Sequence, residues 1–174
     1  AVESKGGRVE SLRANLEDRP GHAESLQALE SLLRSRRDFE GLAEVFESQG
    51  APVQGEQAAS LWARAAELAE ESLGDRDRAL EAHRKVVEFL PDDLVALDAL
   101  ARIQRDRGEP AAASRWLERR LAIASDEERA DVAMALADAL LEAGRVERAC
   151  EVLEVAREHA PERADIRDLL ATQY

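Results

Sequence analysis

Apolar residues recur along this chain at the spacing of one helix face. Leu94, Leu97, Leu100, Ala101 and Ile103 come at steps of about three, as do Leu136, Ala137, Leu140 and Leu141. Such a period gathers the side chains into a stripe that a helix buries against a neighbour. Upstream, Leu26, Leu29, Leu32 and Leu33 predict one helix and Phe39, Leu42, Ala43, Val45 and Phe46 the next. Val9, Leu12 and Leu16 predict a further helix over residues 8–18. No segment predicts a strand.

The helical runs are punctuated at a nearly constant distance. Gly74, Gly108 and Gly144 lie 34 and 36 residues apart, and five residues after them stand Ala79, Ala113 and Ala149. Seventeen residues after the glycines come Pro91, Ser125 and Pro161. A glycine at the end of a helical run supplies the left-handed backbone that stops it, and Asp75 is placed to cap the helix that follows. Ser125 and Glu128 have the spacing of a capping box. Each period therefore predicts two antiparallel helices joined by a tight turn. The alanines carry a packing argument, because two helices approach closely only where a side chain no larger than methyl stands between them. On that reading Ala101 with Ala113, and Ala137 with Ala149, mark the crossing points.

The repeated residues resemble the tetratricopeptide repeat family, whose pattern runs Trp, Leu-Gly, Tyr, a turn glycine, Ala, an aromatic, Ala and Pro. Here it falls on Trp62, Ala65-Ala66, Ala69, Gly74, Ala79, His83, Val86 and Pro91, with one extra residue before the glycine. It returns on Leu97, Leu100-Ala101, Gln104, Gly108, Ala113, Leu117, Arg120 and Ser125, then on Leu136-Ala137, Leu140, Gly144, Ala149, Leu153, Ala156 and Pro161. Leu170-Ala171 and Tyr174 begin a fourth copy.

The resemblance implies an all-α fold of antiparallel helix hairpins stacked in a right-handed superhelical solenoid. The expected organisation is a single array over 1–174. It comprises an entering helix at 8–18, a divergent repeat at 23–49, repeats at 57–91, 92–125 and 126–161, and a truncated repeat or leaving helix at 162–174. In the divergent repeat Arg37 replaces the turn glycine and Leu42 the small alanine, so looser packing is expected. The segment from Gly50 to Gly55 is expected to be a long loop and the one hinge. The chain is expected to be a piece of a longer bacterial array. The truncated last helix should leave Ile166, Leu169, Leu170 and Tyr174 as an apolar face suited to self-association.

Composition narrows the function. The 174 residues carry 24 Lys and Arg against 37 Asp and Glu, a net charge of −13. That balance opposes nucleic acid, whose phosphates need bases on the protein, and a basic membrane anchor. The most apolar stretch, Val132 to Leu141, contains Asp138 and is too short to span a bilayer. A lone Cys150 permits no disulfide within the chain and leaves the compartment open, the cytoplasm being favoured over the periplasm. Its expected role is a small half-buried hydrophobe.

Catalytic chemistry is not indicated. His22, His83 and His159 are not spaced as ligands, Asp126-Glu127-Glu128 reads as an acidic helix start, and no glycine-rich loop follows a strand. Neither enzyme activity, cofactor nor metal is therefore expected.

Stacked repeats present an extended surface, and the resemblance implies that it binds protein. The expected function is a non-catalytic scaffold holding another protein or peptide segment, with an architectural spacer or self-association module as the alternative. The face of each first helix opposite the Leu-Ala pair should line the groove. It carries Gln27, Ser31 and Arg34, then Arg64, Glu67 and Glu71, then Asp98, Arg102 and Arg105, and finally Asp131, Met134, Asp138 and Glu142. A partner with a basic stretch suits Asp131, Asp138 and Glu142, its acidic part lying near Arg102 and Arg105. The Lys-and-Asn set with which some family members clamp a C-terminal carboxylate is not reproduced.

The crossing argument separates two alanines of one helix. Ala137→Leu should destabilise the fold by about 1–3 kcal/mol through overpacking, and Ala143→Leu, beside the turn, by much less. Chemical denaturation of the two variants measures the difference, and equal losses would misplace the crossing.

Overall fold

The computed structural model describes residues 5–173. Among these the chain forms ten α-helices and one π-helical turn, with no strand. They fall into two compact units, Ala1–Pro91 and Asp92–Tyr174.

The first unit contains α1 (Lys5–Asp18), α2 (Ala23–Ser35), α3 (Phe39–Gly50), α4 (Gly55–Leu68), a π-helical turn (Ala69–Leu73) and α5 (Arg76–Phe89). Its core is apolar, with Leu29, Leu33, Leu42, Phe46, Ala65 and Ala66 enclosed. Carboxylates start the helices: Asp38 accepts from the Gly41 N–H at 2.9 Å and Asp75 from the Arg78 N–H at 3.0 Å, each satisfying a donor that the first turn leaves unpaired. Leu42 fills the place of the small alanine. Accordingly, α3 lies against α4 far more extensively than against α2.

Two features of this unit depart from a regular hairpin. The extra residue before Gly74 is absorbed by the π-helical turn, which widens the backbone so that the Gly74 N–H bonds the Ala69 carbonyl. A one-residue insertion is thereby accommodated without rotating the preceding apolar stripe out of the core. The second departure lies at the expected long loop. Helix α3 runs through Gly50 and α4 starts at Gly55, so the loop contracts to residues 51–54. Gly50 lies directly against the Trp62 indole, where an added Cβ would stand 2.8 Å from Nε1.

The second unit contains α6 (Leu94–Asp106), α7 (Pro110–Ala122), α8 (Asp126–Glu142), α9 (Val146–His159) and α10 (Ala164–Ala171). Ala113, Ala137 and Ala149 are fully buried beside Leu136, Leu140 and Leu153, as close helix crossings require. Both turns close with paired bonds. The Gly108 N–H donates to Arg105 and the Glu109 N–H to Gln104, both at 2.9 Å; Gly144 and Arg145 repeat the pattern onto Leu141 and Leu140. Pro110 opens α7, where its missing N–H costs nothing. Glu128 accepts from the Ser125 N–H and hydroxyl at the start of α8. At the repeat position of a small alanine, Arg120 is buried, with its guanidinium 2.8 Å from Glu128 and 3.3 Å from Asp98.

The C-terminal helix corrects another expectation. Ile166 and Leu170 are buried in the core that α8 and α9 build, and Leu169 is half-buried against it. Helix α10 lies down on α9 and takes its own apolar residues out of water, so they do not form the bare face expected for self-association. Tyr174, the fourth residue of that face, lies outside the described residues. Large apolar side chains left open in this unit are Val146 and Val155 of α9, 38% and 55% exposed, and Leu94 and Val95 at the start of α6.

The turn of the first unit repeats these turn bonds with a side chain in the way. Arg37 donates to Arg34 and Asp38 to Leu33 at 3.0 Å, but Arg37 must hold φ at +55°. A Cβ in the left-handed region costs about 1–2 kcal/mol, and glycine relieves most of it. Arg37→Gly should therefore raise stability by about 0.5–1 kcal/mol. The reverse change Gly108→Arg, at φ +73° with nothing within 4 Å of the added Cβ, should lower it by about 1–2 kcal/mol. Urea unfolding of both variants checks the signs.

Candidate groove

Each unit carries a groove between successive first helices. In the first it runs between α2 and α4 and is lined by Leu26, Gln27, Glu30, Gln57, Ser60 and Arg64. Glu30 is its electrostatic centre: the carboxylate takes an ion pair from Arg34 at 3.0 Å along its own helix and a second from Arg64 of α4. Partial burial pushes the Glu30 carboxyl up, but the hydrogen bonds from Arg64 and Arg34 outweigh this and hold it below the usual range. The Arg64 guanidinium also lies 4.0 Å over the Phe46 ring, a cation–π contact that fixes the side chain across the groove.

In the second unit the groove runs between α6 and α8. Ala101, Leu117 and Ala135 form its floor, and Asp98, Arg102, Arg105 and Glu142 its rim. Arg105 spans the helices, donating from Nη2 and Nε to Glu142 at 2.5 and 3.2 Å. That hydrogen bond lowers the Glu142 carboxyl below its ordinary range and raises Arg105 above its own. Asp98, on the rim, faces the buried Arg120.

The structure thus brings together Gln27 and Arg64 in one groove and Asp98, Arg102, Arg105 and Glu142 in the other. Ser31, Arg34, Glu67 and Glu71 are exposed on their elements without lining either groove. Asp131 pairs with Arg163 at 2.7 Å, while Met134 and Asp138 are half-buried on α8. Arg105 and Glu142, read from the sequence as open to a partner's charges, bind each other across α6 and α8. Glu30 was not among the expected groove residues. Its i, i+4 spacing to Arg34 carried the signal.

One further polar contact was not foreseen. His83, at the repeat's aromatic position, is buried with Nε2 2.8 Å from Glu70 of the π-helical turn. Among the described residues no group of three or more His, Cys, Asp or Glu could hold a metal, and no helix is long and apolar enough to cross a membrane.

Comparison with known proteins places this geometry. Two models of the tetratricopeptide repeat match, one over residues 96–131 and one over 120–172. No curated protein matches the sequence. Among solved structures the chain is similar to MamA, at 14% identity over 92% of this chain and 85% of that one, with a TM-score of 0.57. It is similar to YrrB, described as having an unusual peptide-binding site, at 16% identity over 95% and 82%, TM-score 0.55. A tetratricopeptide repeat protein of Parabacteroides merdae matches at 16% identity over 98% and 67%, TM-score 0.53. These identities speak for the fold, an all-α helical-repeat solenoid. With its repeated register and that fold, the chain contains tetratricopeptide repeats, matched by family models over residues 96–172.

Proposed function

We propose that the chain is a non-catalytic scaffold that holds a segment of another protein along the first-helix faces of its repeats, and that the stretches 23–49, 57–91, 92–125 and 126–161 act as repeats of one array. The observation that carries this reading is the α6–α8 groove. Its floor is apolar, its rim bears both signs of charge, and it is open to solvent along the helices. Such a surface suits a chain with small apolar residues and flanking charges rather than a small molecule, which prefers an enclosed cavity. That YrrB has a peptide-binding site adds support from a protein of similar fold.

The Arg105–Glu142 pair gives the groove a gate of modest strength. An exposed ion pair of this kind contributes about 0.2–1 kcal/mol, little enough for a partner to exchange it. A basic side chain arriving at Glu142 and Asp138 releases Arg105 to meet an acidic residue of the same segment. Complementarity of this sort acts chiefly on association rate and orientation. A spacer has no such requirement and would tolerate any soluble groove.

Asp138→Lys combined with Glu142→Lys should weaken partner capture about tenfold at low salt and less at high salt, with helicity unchanged by circular dichroism. Quantitative affinity capture from a cell extract, comparing the folded double variant with the unaltered chain, checks this. Equal capture of every partner by both proteins would refute the groove and favour the spacer.

A further inference from the structure

The first unit has a second cleft, between α1 and α3. Leu16 of α1 and Val45 of α3, both buried, form its floor, and Pro20 and Pro52 border it. It holds about 490 Å³ and opens to solvent, within the ~300–1,000 Å³ of clefts that take ligands. None of its residues lines the α2–α4 or the α6–α8 groove.

Polar groups of this cleft are left unused by the protein. Gln49 of α3 is only 7% exposed, and its Oε1 accepts the Gly21 N–H at 2.9 Å. A backbone N–H is met only by the carboxamide oxygen, so this bond fixes which way the amide faces. Nε2 is left on the cleft side, with no hydrogen-bond partner among the described residues. Such a nearly buried donor favours an acceptor that arrives in the cleft. Next along the helix, the Ser48 hydroxyl donates to the Val45 carbonyl at 2.9 Å, which leaves its oxygen free to accept. The charges at the rim are uncommitted too. Glu17 and Arg13 enter from α1 and Glu44 from α3, and none of the three has an ion-pair partner among the described residues. In the two grooves, by contrast, Glu30 and Glu142 are already paired.

We propose that the α1–α3 cleft binds an arginine-bearing segment of another protein. The alkyl stem of the arginine lies along Leu16, Val45 and the two prolines, and its guanidinium reaches Glu17 and Glu44 on opposite walls. A backbone carbonyl of the segment accepts from Gln49 Nε2, and a backbone N–H donates to Ser48 Oγ. Two unpaired carboxylates against one unpaired base select a cation, and the chain's net charge of −13 attracts the same sign at longer range. Arginine suits the site better than lysine, because its planar fork presents donors to two carboxylates at once. The proposal stands or falls independently of the α6–α8 groove, whose residues lie in the other unit.

The probe is an acetylated, amidated pentapeptide with one arginine between two pairs of alanines, titrated into the full, isotope-labelled chain. The side-chain amide resonances of Gln49 should shift saturably. Citrulline in place of the arginine keeps the shape and removes the charge, and should raise the half-saturating concentration about fivefold, as the loss of two partly exposed ion pairs implies. Glu17→Gln combined with Glu44→Gln in the chain should do the same, and Arg13→Gln should lower that concentration. The Asp138→Lys and Glu142→Lys variant should bind the peptide as the unaltered chain does, which tells failure of this site from failure of the groove. Four results would overturn the proposal: Gln49 resonances unmoved by millimolar peptide, equal affinity for the arginine and citrulline peptides, undiminished binding by the folded Glu17→Gln and Glu44→Gln chain, or tighter binding of a peptide with glutamate in the arginine's place. Circular dichroism confirms the fold of the variants, and the citrulline comparison requires no change to the chain.

Discussion

Two helices joined by a turn of a few residues approach each other most closely where the side chain at their crossing is small. Ala79, Ala113 and Ala149 meet that condition and are fully enclosed. The remaining features of a hairpin are arranged around it. The left-handed turn residue five positions earlier sets the point at which the second helix starts, so the alanine arrives at the crossing in register. Where Leu42 takes the alanine's place, α3 lies against α4 more than against α2.

A crossing fixes each hairpin but does not join one hairpin to the next. Charged side chains reaching across the first helices do part of that work: Glu30 to Arg64 in one unit and Arg105 to Glu142 in the other. Among second helices Arg78 joins Glu47, and Arg148 lies 3.7 Å from Glu118 while bonding Glu151 of its own helix. These pairs are at least partly exposed, so each adds little stability by itself. Their larger effect is on the charge of the surface, since much of the formal charge of the two grooves is already neutralised within the protein.

Irregular positions show how the fold tolerates a drifting sequence. An inserted residue before Gly74 becomes a π-helical turn, and the same turn places Glu70 against buried His83. Arg37 accepts a left-handed backbone and retains both turn hydrogen bonds. Gly50 allows α3 to lie against an indole that any larger residue would displace. In each case a local cost is borne because the surrounding apolar stripe stays aligned with its core.

The sequence by itself determined the helices, the turns between them and their repeat character, because these follow from local rules: a period of three to four, left-handed turn residues, caps and small residues at fixed offsets. The extra residue ahead of Gly74 was legible too, though not the π-helical turn that absorbs it. Periodicity points to one face of each first helix and there to Ser31, whereas Glu30, one position away, is the centre of the charges. Only tertiary structure decided which charges spend themselves on each other, since Arg105 and Glu142 are 37 residues apart and meet through helix packing. Tertiary packing likewise placed Ile166 and Leu170 inside and left Val146 and Val155 outside. An apolar stripe shows that a helix buries a face, while the neighbour that covers it is fixed by the docking of whole elements.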